Sequence, residues 1–276
     1  MTMTSAPPAP GAGSAALPAP RGRAGFAGTL RSEFTKIRST RSTYWTLIAM
    51  IVVTVGFAVL SSLGAISHGS DAGPGFDATA RSLDGLFLGQ LVIAVLGALT
   101  ITSEYSTGMI RTSLTAIPRR GTIFAAKATA FAVVALGAGL VASFGSFFVG
   151  QAIMSSHHIN ATLGQPHVLR AVIGGGLFLA ACGMLAYGLG VALRYTAAGI
   201  TAAIGMLFVL TILVAFLPQS WQDHVNKWTP AIAGSQIWQA HTDPTSLSAW
   251  TGFGVLCGYA AIAMIAGLIL FRRRDA

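Results

Sequence analysis

One polar segment of this chain, residues 103–120 (SEYSTGMIRTSLTAIPRR), carries a carboxylate, a glycine, three arginines and a proline between two long apolar runs. A carboxylate beside guanidinium groups can bind a charged partner or take part in proton transfer. Ile110, Leu114 and Ile117 are spaced i, i+4, i+7 and form a short apolar stripe that Pro118 ends. An ordinary basic loop needs no such stripe, so the segment is better explained as a docking helix than as a catalytic loop.

Several catalytic motifs are absent from the sequence. There is no G-x-x-x-x-G-K-[ST] loop, so this chain cannot bind ATP through a P-loop. It also lacks G-x-S-x-G, H-E-x-x-H and paired carboxylates within its apolar runs. A membrane-embedded enzyme would need titratable groups that converge at one membrane face, and the sequence predicts none. His157 and His158 are the first candidates for a metal site, but no cysteine or carboxylate cluster accompanies them, so no metal site is predicted.

The composition indicates that a lipid bilayer surrounds most of the chain. Of the 276 residues, 53% are hydrophobic and 9% are charged, and the mean hydropathy is +0.68. Soluble domains carry roughly 25% charged residues. The net charge of +9 lies between apolar runs rather than on one polar face, which argues against nucleic-acid binding.

Six apolar runs are each near the roughly 20 residues that a spanning helix requires. The predicted fold is therefore an all-α membrane protein whose domain, residues 44–276, holds six transmembrane helices. Gly85 and Gly89 form a G-x-x-x-G pair in the second run, and Gly254 and Gly258 form another in the sixth. Such pairs indicate either close packing within the bundle or a contact between subunits. The predicted spans are 44–66, 84–102, 122–154, 169–193, 196–217 and 249–271.

Two segments precede the first span. Residues 1–25 are rich in Ala, Pro and Gly and are predicted to be a disordered tail. Residues 26–43 contain an amphipathic helix predicted to lie in the membrane plane, with flanking basic residues, Arg38 among them, at the lipid headgroups. The alternative is a short basic segment that only precedes the first span, without an interfacial helix. The residues that form the apolar stripe of this helix are Phe26, Leu30, Phe34 and Ile37.

The distribution of Lys and Arg predicts the orientation in the membrane. Fourteen of the 17 Lys and Arg fall on the side that holds both termini and residues 103–120. By the positive-inside rule both termini are cytoplasmic, and the expected location is the plasma membrane. Lys127, near the start of the third span, is expected to extend its ammonium group back to the membrane surface.

The predicted outer segment, residues 218–248, is too apolar for a solvated loop. Its tryptophans favour the membrane interface, and its prolines divide it into short pieces. We therefore expect short re-entrant or interfacial helices here. The residues that indicate them are Leu217, Pro218, Trp221, Trp228 and Pro230.

These motifs together resemble the permease subunits of type-2 ABC exporters, especially the actinobacterial ones, over residues 30–272. The resemblance rests on the approach S-E-F-T-K-I-R-S (32–39), on E-Y-S-T-G-M-I-R-T-S-L (104–114), on P-R-R (118–120) and on the outer L-P…W…P pattern. The family's pattern of a glutamate, a glycine, a leucine, a proline-basic turn and a lysine matches Glu104, Gly108, Leu114, Pro118, Arg119 and Lys127.

The resemblance implies a transmembrane half that pairs with a second half, identical or different, and docks a separate ATP-binding subunit. The loop after the second span would be the coupling helix, and the amphipathic helix before the first span would be the connecting helix. ATP and magnesium would bind the partner subunit, so no cofactor and no enzymatic activity are expected in this chain. The implied docking residues are Glu104, Gly108, Ile110, Arg111, Leu114, Pro118, Arg119, Arg120 and Lys127.

The expected cargo is hydrophobic or amphipathic, such as a drug, a lipid or a peptide, because the spans are apolar and aromatic. The alternative function is a non-transporting membrane anchor or immunity factor; a membrane enzyme is the weaker alternative. The aromatic residues considered for the cargo path, each of which could instead face lipid or pack in the core, are Phe87, Phe144, Phe147, Phe148 and Phe208.

Overall fold

The computed structural model describes residues 25–67, 76–110, 120–241 and 246–273, and every regular element in these ranges is helical. The predicted tail lies almost wholly outside them. The first six helices are α1 (Phe26–Ser39), α2 (Arg41–Ser67), α3 (Ala78–Leu83), α4 (Leu86–Ser106), α5 (Arg120–Ser155) and α6 (Val168–Leu193). The remainder are α7 (Thr196–Val214), which contains a π-helical turn at Gly205–Val209, α8 (Gln219–Val225), α9 (Pro230–Ser235) and α10 (Ala249–Arg273).

Six helices are long and apolar enough to cross a membrane, as the sequence predicts: α2, α3 with α4, α5, α6, α7 and α10. Their ends lie within a few residues of the predicted ones, except that α3 extends the second span backwards to Ala78. The third span, α5, has 36 residues. At 1.5 Å per residue it is about 54 Å long, so it projects beyond a hydrocarbon core of roughly 30 Å.

Helices α4 and α6 form the centre of the bundle and are more buried than α2, α7 and α10. The ring of Phe131 on α5 stacks on Tyr187 of α6 with the ring centroids 5.9 Å apart. Phe147, a candidate for the cargo path, is only 2% exposed and belongs to this core. Phe87 is partly exposed and contacts Phe208 of α7, with the ring centroids 4.8 Å apart.

The two G-x-x-x-G pairs have different surroundings. A Cβ atom added to Gly85 would lie 1.8 Å from the backbone oxygen of Thr54, so this glycine lets α2 approach the start of α4. Added Cβ atoms at Gly254 and Gly258 would meet nothing within 4 Å. The first pair therefore serves packing within the chain, whereas the second lies on an outward face of α10.

Short helices follow α7, as predicted for the segment after the fifth span. Pro230 occupies the first turn of α9, where its missing N–H group costs nothing. The helix α9 and the turn after it pack against α6 and α10, and Trp238 is buried there. Trp221 and Trp228 are 65% and 50% exposed, which leaves them free to contact a membrane interface. Leu217 and Pro218 form the turn between α7 and α8.

At this end of the bundle, Asp77 joins two distant parts of the chain. Its Oδ1 atom accepts a hydrogen bond from the N–H of Ala80 and caps α3. Its Oδ2 atom accepts from the N–H groups of Ala240 and His241, at 2.8 and 2.9 Å. The aspartate therefore holds the segment before α10 against the start of the second span.

We expect Asp77→Ala to lower the free energy of unfolding by about 2 kcal/mol, because a helix cap and two charge-assisted hydrogen bonds are lost together. Thermal unfolding of the purified chain in detergent measures the loss. Asp77→Asn keeps one acceptor oxygen and should lose less. Equal melting temperatures for the alanine variant and the native chain would show that Asp77 does not hold these segments.

Candidate functional site

Four charged side chains from three helices meet at one end of the bundle, which we call the basic end. The basic end consists of α1, the start of α2, the end of α4, the start of α5, the turn between α6 and α7, and the end of α10. The Nζ atom of Lys127 lies 2.6 Å from Oε2 of Glu33 and 2.8 Å from Oε1 of Glu104. Lys36 also contacts Oε1 of Glu104. We call Glu33, Lys36, Glu104 and Lys127 the charge cluster.

Three members of the charge cluster are buried. Lys127 is 2% exposed, Glu104 is 4% exposed and Glu33 is 8% exposed, whereas the side chain of Lys36 is 35% exposed. An isolated charge in such a place would cost several kcal/mol of desolvation energy. Two carboxylates against two ammonium groups leave no net charge, so the cluster is stable only when its members are together.

Each helix positions its charged group by its local geometry. On α1, Glu33 follows Thr29 by four residues, and both face inward and are buried. Glu104 lies on the last turn of α4, and Lys127 lies near the start of α5. The cluster therefore fastens α1 to the end of the second span and to the start of the third.

This arrangement corrects the expectation for Lys127. Its ammonium group does not extend to the membrane surface but points between two carboxylates inside the bundle. A lysine this buried cannot itself touch another protein, so it can act only through the helices that it positions. The same holds for Glu104, whose contacts among the described residues are with lysines of this chain.

Sequence reasoning missed Glu33. The signal was present, because Glu33 and Glu104 are the only glutamates among the 276 residues, and each lies in a segment that flanks a predicted span. Helical spacing places Glu33 at the edge of the apolar stripe of α1, three residues after Leu30 and four before Ile37, so the stripe did not set it apart. In the structure Phe26 is 45% exposed, while Leu30, Phe34 and Ile37 are half-buried. Arg38 is exposed beside them, and its contact with lipid headgroups stays a prediction.

The described residues on either side of the predicted coupling segment show the chain directly before and directly after it. Helix α4 ends at Ser106 and is capped by Thr107, and Gly108 has a φ of 70°, a left-handed conformation that glycine adopts without strain. Met109 and Ile110 are again helical, and Ile110 is buried. Arg120 begins α5, where its Nη1 atom donates to the backbone oxygen of Arg272. The predicted docking residues that lie outside the described residues are Arg111, Leu114, Pro118 and Arg119.

The end of α4 makes one more contact with a distant part of the basic end. The guanidinium carbon of Arg194, in the turn between α6 and α7, lies 5.3 Å from the ring centroid of Tyr105. Such a cation–π contact holds the turn against the last residues of the second span. The segment that leaves α4 is thus supported by α1, by α5 and by the α6–α7 turn.

At the opposite end, three histidines line one cavity with Asp77. The cavity has a volume of about 470 Å³, and the histidines are His158, His167 and His241. Within residues 25–67, 76–110, 120–241 and 246–273, no group of three His, Cys, Asp or Glu side chains is placed to hold a metal ion.

The family comparison agrees with the resemblance inferred from the motifs. A family model described as "ABC-2 family transporter protein" matches residues 29–214, from α1 to the end of the fifth span. A search of curated proteins found no match. The matched part contains all four members of the charge cluster and both sides of the predicted coupling segment. Because the match covers about two thirds of the sequence, the chain belongs to the ABC-2 family of transporter proteins and is a multi-pass membrane permease.

Proposed function

We propose that this chain is the transmembrane subunit of an ATP-driven exporter, paired with a separate ATP-binding subunit and with a second transmembrane half. The observation that carries the proposal is the charge cluster, which fastens α1 to the two helices that flank the predicted coupling segment. A segment that receives force from another subunit must be attached rigidly to the spans that it moves.

The basic end of the bundle would face the cytoplasm of the cell, where an ATP-binding subunit is found. This orientation rests on the positive-inside rule, since most Lys and Arg of the chain lie at that end. It places α1 and the segment between α4 and α5 together on the cytoplasmic face of the plasma membrane. The histidine-lined cavity and the helices α8 and α9 then lie on the outer face.

In the proposed mechanism, closure of the ATP-binding subunits pushes on the segment between α4 and α5. The charge cluster makes α1, α4 and the start of α5 move as one body, so the push becomes a rocking motion of the bundle. Helices α2, α7 and α10 expose apolar faces that can meet lipid or a second half. The contact of Phe87 with Phe208 at one such face supports a hydrophobic or amphipathic cargo.

The proposal is tested by identifying a P-loop ATPase that copurifies with the chain from its own cells and by reconstituting the two together. We expect the two to copurify, and we expect a hydrophobic cargo such as a dye to stimulate ATP hydrolysis and to be transported in proteoliposomes. Glu104→Ala should abolish the stimulation and reduce transport at least tenfold, because α1 and α5 are no longer fastened to the end of α4.

Asp84→Ala is the matched control, since Asp84 is a partly buried carboxylate two residues before the other end of α4. It should keep the stimulation and the transport. If Glu104→Ala keeps both activities at the native level, the charge cluster does not couple the subunits. Copurification without any transport would instead support a non-transporting anchor.

A further inference from the structure

A cavity opens at the basic end of the bundle, between α1, α2 and α5. It has a volume of about 410 Å³, and it combines a basic rim with an apolar inner wall. Neither the family match nor the proposed function assigns an occupant to it. Among the residues that line it are Arg31, Arg38, Thr43, Leu47 and Val134.

The basic rim consists of Arg31 and Arg38, which project from the same side of α1. They are seven residues apart, so nearly two full turns of helix separate them. Counted at 3.6 residues per turn, they lie about 160° and about 140° around the helix from Glu33. Both side chains are exposed, and neither guanidinium group has a hydrogen bond or an ion pair with a described residue. The buried carboxylate of Glu33 therefore does not neutralise them, and a ligand in the cavity can reach both.

The polar groups at the mouth of the cavity favour a phosphate group. No Asp or Glu among the described residues lines the cavity, so the two guanidinium groups leave its mouth positively charged. Each guanidinium group presents a planar set of N–H donors that matches the oxygens of a phosphate. About 10 Å of helix axis separates the Cα atoms of Arg31 and Arg38, and each side chain covers at least half of that distance, so both can contact one phosphate. The hydroxyl group of Thr43 has no hydrogen-bond partner among the described residues and can donate a further bond.

The apolar wall of the cavity belongs to two spanning helices. Leu47 lies six residues after the first residue of α2, which is about 9 Å along the helix axis. Val134 lies fourteen residues after the first residue of α5, or about 21 Å along that helix. Both side chains are partly exposed. The cavity thus passes from the guanidinium groups at the helix ends to a surface that suits an acyl chain.

We propose that this cavity binds one anionic phospholipid of the phosphatidylglycerol class. Its phosphate lies between the guanidinium groups of Arg31 and Arg38 and accepts a hydrogen bond from Thr43, and one acyl chain lies against Leu47 and Val134. A zwitterionic lipid binds less tightly, because its own cationic group comes to lie beside two guanidinium groups. A general attraction to headgroups acts on every exposed basic residue of the basic end, whereas this site depends on two of them.

Native mass spectrometry of the purified full chain tests the proposal without the ATP-binding subunit, so the result does not depend on the proposed function. The chain is titrated with palmitoyl-oleoyl phosphatidylglycerol and with the phosphatidylcholine that has the same acyl chains. Each arginine near an anionic lipid contributes a factor of about five in affinity. We therefore expect phosphatidylglycerol to bind about thirtyfold more tightly than phosphatidylcholine, which is the product of two such factors.

Substitutions of three exposed arginines separate the site from general surface charge. Arg31→Gln and Arg38→Gln should each lower the preference to about fivefold, and the double variant should bind both lipids about equally. Arg41→Gln is the matched control, since Arg41 is exposed at the start of α2, three residues after Arg38, and does not line the cavity. This control should keep the thirtyfold preference.

Two tryptophan substitutions on α5 test where the acyl chain lies. Val134 lines the cavity, whereas its neighbour Val133 is 53% exposed and does not. Val134→Trp should weaken phosphatidylglycerol binding about tenfold, because the indole ring takes the place of buried methylene groups of the lipid. Val133→Trp should bind the lipid as the native chain does.

Three results would overturn the proposal. Equal affinity of the native chain for both lipids is the first, and it is expected if another segment of the chain covers the cavity. The second is a preference that survives in the double glutamine variant, or that Arg41→Gln lowers as much as Arg31→Gln does, since general surface charge then attracts the lipid. The third is native affinity in Val134→Trp, because the lipid then lies outside the cavity.

Discussion

Replacing Lys127 by methionine is expected to lower the free energy of unfolding by about 3–5 kcal/mol, because two buried carboxylates lose their common partner. Lys127 is 2% exposed and lies within 2.8 Å of both Glu33 and Glu104. Methionine has a similar length and suits a lipid-embedded bundle, so the loss reports the charge rather than the volume. Thermal unfolding of the detergent-purified chain, followed by tryptophan fluorescence, measures the effect.

Two further variants separate charge from packing at this position. Lys36→Met should cost much less, since that side chain is 35% exposed and water can solvate what remains. Adding Glu33→Gln and Glu104→Gln to Lys127→Met removes the buried charges altogether and should restore most of the stability. If the triple variant is no more stable than Lys127→Met alone, the shape of the lysine, not its charge, holds the helices together.

The second large effect is expected at Gly97, where α4 and α6 come closest. A Cβ atom at Gly97 would lie 2.3 Å from the backbone oxygen of Gly183 and 3.2 Å from the backbone nitrogen of Tyr187. Backbone atoms cannot move aside without separating the two central helices of the bundle. We expect Gly97→Ala to lower the free energy of unfolding by about 3 kcal/mol, the upper end of the usual cost of overpacking.

Gly258→Ala is the matched control for Gly97→Ala. The same methyl group is added to a glycine inside a spanning helix, but nothing lies within 4 Å of it. The replacement should leave the melting temperature unchanged or raise it slightly, since alanine favours helix more than glycine does. If both variants lose the same amount of stability, helix propensity or behaviour in detergent determines the result, and the contact between α4 and α6 does not.

The sequence predicted the architecture well because the relevant signals are local. Apolar runs of about 20 residues report spanning helices wherever they occur, and all six were located to within a few residues at most ends. The short helices between the fifth and sixth spans were indicated in the same way, by tryptophans and prolines close together in the chain. The family could also be inferred from motifs that are contiguous in sequence, and the family match confirmed it. The actinobacterial likeness and the orientation of the termini stay predictions.

The candidate site was predicted only in part, because its contacts join residues far apart in sequence. Glu104 and Lys127 were selected from their positions at the ends of spans, but nothing in the sequence indicated that they contact each other. The structure pairs Glu104 with Lys127 and with Lys36 of α1, 68 residues earlier. Helical spacing shows which residues share a face of one helix, but it does not say which face turns towards which neighbour.

The amino-acid sequence by itself determined that this protein is embedded in a bilayer and crosses it six times. It also determined that most basic residues lie at one end of the bundle. Composition and hydropathy along the chain decide these properties. Only the tertiary structure decided that Glu33 belongs with Lys127, and that Gly85 packs inside the bundle while Gly258 faces outwards. The physical reason is that helix rotation and pairing depend on the sum of many side-chain contacts across the bundle. In the charge cluster, that packing brings together carboxylates and ammonium groups that would each be too costly to bury alone.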